Sequence, residues 1–167
     1  MNEIFIRRSV RSFLDQDVEV EKIDKLIRAG MQAPSSRNQR GWKFVVITNR
    51  DTLYKLSRFK PYAAPIVQAP LGILVCADIE NMEAPDYWQQ DSSAATQNIM
   101  LEAVTQGLGT LWIGVAPNEN WMNSVNEICG ISKSLAPVAL IAVGYPGRQD
   151  LIKFVDRYEE DKIIWIK

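Results

Sequence analysis

Hydrophobic positions recur along this chain with two spacings. After Glu19 the apolar residues Val20, Ile23, Leu26, Ile27, Ala29 and Met31 fall on one face of a helix, and Pro34 marks its end. Residues 42–48 (Trp-Lys-Phe-Val-Val-Ile-Thr) are β-branched and aromatic and predict a strand. Asn49 is placed to cap a short helix over residues 50–57. Residues 71–77 form a nearly all-apolar second strand. Residues 91–106 are rich in Ala, Gln, Met and Leu and predict the longest helix, with Gly107 at the position of a C-terminal stop. A third strand is expected over 110–115, a helix over 118–129 ended by Gly130, and a fourth strand over 138–143 before Gly144-Tyr145-Pro146. All-apolar strands need helices on both faces, so the class is α/β or α+β in three layers.

The last twenty residues, 148–167, break this regularity. They are charged around residues 156–162 and close on Ile163, Ile164, Trp165 and Ile166. An apolar end left in water is a liability. It completes the sheet of its own chain or lies on a partner subunit, and the residues alone leave both open.

Composition narrows the chemistry. The 167 residues carry 19 Lys+Arg against 20 Asp+Glu, a net charge of −1, with 47% hydrophobic residues. That is a soluble chain of one domain, residues 1–167, with no charge bias toward nucleic acid. No apolar run approaches the ~20 residues of a membrane span. The first residues read acidic, apolar, then basic, unlike a signal peptide, so a cytoplasmic location is expected. There is no histidine, which excludes Ser-His-Asp and Cys-His catalysis and every histidine metal site. Cys76 and Cys129 are too few for a four-thiolate centre. Any enzyme built on this chain works through carboxylate, Lys or Tyr chemistry, or through a cofactor, with no metal.

Five segments can bind something, and each has an ordinary explanation beside it. Arg7-Arg8-Ser9-Val10-Arg11 could hold a phosphate or carboxylate in its guanidinium forks, or be a solvated helix end. Ala33 to Gln39 (Ala-Pro-Ser-Ser-Arg-Asn-Gln) could hydrogen-bond the edge of a planar heterocycle, or be a polar connection. Gly107 to Gly114 (Gly-Leu-Gly-Thr-Leu-Trp-Ile-Gly) is no dinucleotide fingerprint, because Trp112 stands where the third glycine belongs. It permits close backbone approach to a ligand, or is a helix stop before a buried strand. Arg148, Lys153 and Arg157 form a basic set that reads by default as surface charge, and Asp91 reads as a charge at the positive end of a helix.

In order, these pieces resemble the FMN-dependent nitroreductase family over nearly the whole chain. Arg7-Arg8-Ser9-Val10-Arg11-Ser12-Phe13 is similar to its R-R-S-[IV]-R-x-F opening, and residues 33–39 to its A-P-S-x-x-N-x-Q loop. Residues 87–101 resemble its central helix, Gly107 to Gly114 its L-G-[ST]-x-W-[IL]-G strand, and Gly144-Tyr145-Pro146 with residues 156–165 its C-terminal pattern. The resemblance implies an α+β, three-layer α/β/α fold with a central mixed, mostly antiparallel sheet. It also implies a homodimer in which the tail, residues 148–167, is exchanged onto the other subunit. It implies tightly bound FMN at the interface. Arg7, Arg8, Ser9 and Arg11 would hold FMN, the outer arginines serving phosphate and ribityl and Arg11 sitting near N1 and the C2 carbonyl. Pro34, Ser35, Ser36 and Asn38 would come from the partner. The backbone of Trp112, Ile113 and Gly114 would pass the central ring, and Arg157 with Arg148 or Lys153 would close on the phosphate.

The implied activity is reduction of nitroaromatics, quinones or similar small acceptors with NADH or NADPH, by ping-pong kinetics. No side-chain acid or base is demanded. A flavin-storage protein and a non-enzymatic interaction domain are the alternatives. Larger members cover the substrate with an extra helical segment before the central helix; residues 78–86 stand in that interval here, so a more open pocket is expected.

Overall fold

The computed structural model describes residues 3–148 and 153–167. Its elements run α1 (Glu3–Ile6), α2 (Val20–Met31), β1 (Trp42–Ile47), α3 (Arg50–Leu56), β2 (Leu71–Asp78), α4 (Trp88–Thr105), β3 (Gly109–Gly114), α5 (Glu119–Cys129) and β4 (Leu135–Gly144). The strands lie in the order β1-β2-β4-β3, antiparallel at every pair. Among the described residues the parallel component is a single bridge between Ser9 and Thr110.

Helices cover both faces of the sheet, giving the expected α/β/α layering. On one face Leu26 of α2 and Ile99, Met100 and Ala103 of α4 pack on Ile73, Val75, Ile141 and Val143. On the other, Leu53 and Leu56 of α3, Ile66 of the 3-10 turn Pro61–Gln68 and Val125 of α5 pack on Leu74, Leu111, Ile113 and Leu140. The central strands β2 and β4 are therefore apolar along nearly their whole length. β4 starts earlier than its hydrophobic run suggests, because Ala136 and Pro137 pair with Ala77 and Cys76. Pro137 is accommodated where the β2 register shifts between Val75 and Cys76, a place where a missing N–H costs no regular ladder bond.

The caps form as the residues dictate. The Asn49 and Asn118 side chains accept from the Thr52 and Trp121 N–H groups at 2.9 and 3.1 Å. At the end of α4, Gly107 takes φ +72°, and the Gly107 and Leu108 N–H groups donate to Val104 and Ala103 carbonyls. The start of α4 differs from the sequence expectation. The turn Pro85–Tyr87 leads directly into a helix beginning at Trp88, which places Asp91 inside the first turn.

The N-terminal segment is threaded past β3. The Val10 N–H donates to the Thr110 carbonyl at 2.8 Å, and Phe13 bridges Pro146. Val10 comes so close to Gly109 that a Cβ there would meet its side chain at 2.7 Å; only glycine leaves the room. In the tail, the Phe154 ring lies 5.7 Å from that of Phe5. Residues 153–167 pair with no strand among the described residues, and Ile164, Trp165 and Ile166 are 87%, 75% and 97% exposed. Within one chain, the described tail residues do not complete the sheet.

Candidate functional site

The threading of residues 7–11 along β3 brings predicted residues together in two cavities. The first, of about 380 Å³, is lined by Arg11, by Leu111, Trp112, Ile113 and Gly114 of β3, and by Lys60, Pro61, Tyr62 and Pro65. Arg11 is exposed, its guanidinium 3.4 Å from the Ser9 carbonyl. Around the place where a Gly114 Cβ would stand there is no atom within 4 Å. The absence of a side chain at Gly114 therefore serves nothing inside the protein; it leaves backbone open to whatever enters the cavity.

Lys60 belongs to this site and was not expected from sequence. Its ammonium donates to the Gly114 carbonyl and lies 4.5 Å from the centre of the Trp121 ring. Burial lowers its pKa from the ordinary lysine value. The cavity wall thus carries two cations, Arg11 and Lys60, and no carboxylate among the described residues.

The second cavity, of about 340 Å³, lies between α1 and the tail and is lined by Ile4, Phe5, Arg7, Arg8, Val155, Asp156, Arg157 and Tyr158. The Arg7 pKa is lowered, first by burial and then by repulsion from Arg157 and Arg8. A guanidinium stays protonated regardless, and Arg7, Arg8 and Arg157 bring three of them to one cavity, a setting suited to an anion. Arg8 is turned partly away: it donates to the carbonyls of Phe5, Arg7 and Lys153, tying α1 to the tail. Asp156 is occupied by the Tyr158 N–H at 2.9 Å. Ser9 is exposed and Arg148 is engaged within the structure, and neither lines either cavity.

The loop carrying Pro34, Ser35, Ser36 and Asn38 reaches neither cavity. It is an unusual piece of backbone. Arg37, Asn38 and Arg40 take φ values of +51°, +55° and +48°. The left-handed conformation costs an ordinary residue about 1–2 kcal/mol, less for Asn. The Ser35 hydroxyl accepts from the Arg40 N–H at 3.0 Å. Asp91, expected to complement the helix dipole, instead reaches out to this loop from α4: it accepts from the Ser36 N–H and from the Gln39 side chain.

Thiol chemistry has no place in this arrangement. Burial pushes the Cys76 pKa up to about 12 and that of Cys129 to about 11, so both stay protonated at neutral pH.

The sequence profile of the nitroreductase family matches residues 4–75 and 58–145. The chain belongs to the nitroreductase family. An Archaeoglobus fulgidus family relative, provisionally named as an NADH dehydrogenase/NAD(P)H nitroreductase, is 37% identical over 162 residues, 96% of this chain and 93% of its own. Among solved structures, a protein of Clostridium acetobutylicum provisionally named as an NADH oxidase superposes with a TM-score of 0.94 at 41% identity, over 99% of both chains. A provisionally named nitroreductase of Desulfovibrio desulfuricans, solved in complex with FMN, superposes with a TM-score of 0.83 at 27% identity, over 99% of this chain and 95% of that one. The nitroreductase fold is thus present over nearly the whole chain. No helix among the described residues is long and apolar enough to cross a membrane.

Proposed function

We propose that this nitroreductase-family chain is an FMN-dependent oxidoreductase, driven by NADH or NADPH, that reduces nitroaromatics, quinones or similar small acceptors. The observation that carries the reading is the pair of cavities met by the Arg7 to Arg11 segment, one lined by Arg7, Arg8 and Arg157 and one by Arg11 and the β3 residues Leu111 to Gly114. The chain from Arg7 to Arg11 spans at most about 14 Å if extended, the scale of a ribityl chain with its phosphate. Arg7 and Arg157 would hold the phosphate, Ser9 the chain between, and Arg11 with Lys60 the polar end of the ring. Gly114 would let the ring lie on the strand.

When bound, FMN supplies the redox chemistry, taking a hydride from the nicotinamide and returning electrons to the acceptor. The protein supplies fixed positive charge. Arg11 and the partly desolvated Lys60 would stand ready before charge develops, so neither has to reorganise at the moment of reaction. Only residues 79–87 and their short 3-10 turns separate β2 from α4, and none of them lines either cavity. Donor and acceptor would use one open cavity in turn, and ping-pong kinetics follow.

The reading includes a homodimer. β1 is an edge strand, and beside it runs a groove of about 690 Å³ lined by Ile27, Met31, Trp42, Phe44 and Val46, with Arg40 and Lys43. The tail offers the complement, an acidic stretch (Glu159, Glu160, Asp161) followed, after Lys162, by four apolar residues. A tail laid on the partner's β1 edge would cover both liabilities. It would also bring the 34–38 loop of one chain toward the other's flavin.

Gly114 provides the test of ring placement. Gly114→Ala adds a methyl with no protein atom in its way, so the apoprotein should melt at the wild-type temperature. Against a bound ring the same methyl costs about 1–3 kcal/mol, a roughly ten- to hundredfold rise in Kd for FMN. Fluorescence titration of apoprotein with FMN measures it; an unchanged Kd would place the ring elsewhere.

A further inference from the structure

We propose that Asp91 is a positioning residue that locks the 35–40 loop in its left-handed conformation through Gln39 and thereby sets the affinity for the FMN held by the partner subunit; this rests on the FMN and homodimer reading above. The hydrogen-bond chemistry leaves one solution at position 91. The Gln39 side-chain oxygen accepts from the Ala84 N–H at 2.9 Å. That fixes the orientation of the amide, whose nitrogen then donates to the Ala84 carbonyl at 3.2 Å and to Asp91 Oδ2 at 2.7 Å. Asp91 Oδ1 accepts from the Ser36 N–H at 3.0 Å. Position 91 must therefore offer two acceptors, one on each oxygen. A carboxylate does so; an amide offers one and turns N–H groups against the other donor.

The placement supports the same conclusion. Asp91 is 6% exposed, and its charge is supported by the start of α4 and by these two donors. Through Gln39 it joins three separate segments: the loop, the connection before α4, and α4 itself. Between the two anchored points, Ser36 and Gln39, lie two of the three left-handed residues, Arg37 and Asn38. Relaxation of that backbone would swing Ser36 and Asn38 away from the positions they present.

The test compares wild type with Asp91→Asn as full-length protein. Amide hydrogen exchange over residues 36–40 is read on the apoprotein, and FMN affinity by fluorescence titration. Exchange should accelerate and Kd rise, each by about tenfold or more, the scale of one lost charge-assisted hydrogen bond. The melting temperature should move far less than loss of a core contact would require. The double variant Asp91→Asn, Gln39→Glu should recover part of both, because the carboxylate introduced on the loop can accept from the new amide. Should Asp91→Asn fail to fold, Gln39→Leu on the loop side carries the same two readouts. Unchanged exchange overturns the lock. Faster exchange with unchanged Kd overturns its link to the cofactor. A wild-type protein that takes up no FMN overturns the functional reading instead, and the exchange measurement still decides the lock.

Discussion

Removal of residues 153–167 will leave a chain that no longer dimerises at micromolar concentration and no longer retains FMN. Ile164, Trp165 and Ile166 stand largely in water in the single chain. Burying each is worth about 2 kcal/mol, so each tail contributes about 6 kcal/mol to the assembly, and a dimer has two tails. No other described segment carries a comparable run of exposed apolar side chains. The deletion also removes Arg157 from the second cavity and, in the proposed dimer, the segment laid over the groove beside β1. Sedimentation of the truncated and full-length proteins reads the outcome; a truncated chain that remains a tight dimer would refute exchange of the tail.

Arg157→Gln separates anion binding from stability. The substitution removes one of three guanidiniums around the second cavity, and with it a charge-assisted bond to phosphate worth about 1.5–3 kcal/mol. FMN affinity should fall roughly ten- to a hundredfold. The apoprotein should not be destabilised, because Arg7 loses the repulsion that, after burial, most lowers its pKa. The wild-type affinity should also weaken with rising salt more steeply than that of the variant. Loss of apo stability with FMN affinity intact would assign Arg157 a structural role.

The elements of the fold were legible because periodicity and caps agree with what the tertiary structure buries. β2 and β4 read as unbroken apolar runs because helices cover both their faces. Asn49, Gly107, Asn118 and Gly130 punctuate the chain where the backbone needs them. Of the residues the sequence singles out for the candidate site, Arg11 shares a cavity with Trp112 to Gly114, and Ser9 and Val10 run beside Thr110 of β3. What escaped was set by tertiary placement. Lys60 is one lysine among many until the 3-10 turn after it sets it against Trp121 and Gly114. Asp91 reads as a helix-start charge, and only the folded loop supplies the two donors that make it a lock. The single chain leaves the apolar end of the tail exposed, and no pattern within one chain specifies what covers it.

Bound flavin on this chain is expected to be reduced by a nicotinamide. The direct measurement is anaerobic: FMN-reconstituted protein is titrated with NADH and, separately, NADPH while the visible flavin absorbance is recorded. Bleaching by about one equivalent of at least one nucleotide per flavin, followed by recovery of colour when a quinone or nitroaromatic is added, is the predicted result. A protein that binds FMN but keeps its colour in excess of both nucleotides would contradict the account and mark it as a flavin carrier.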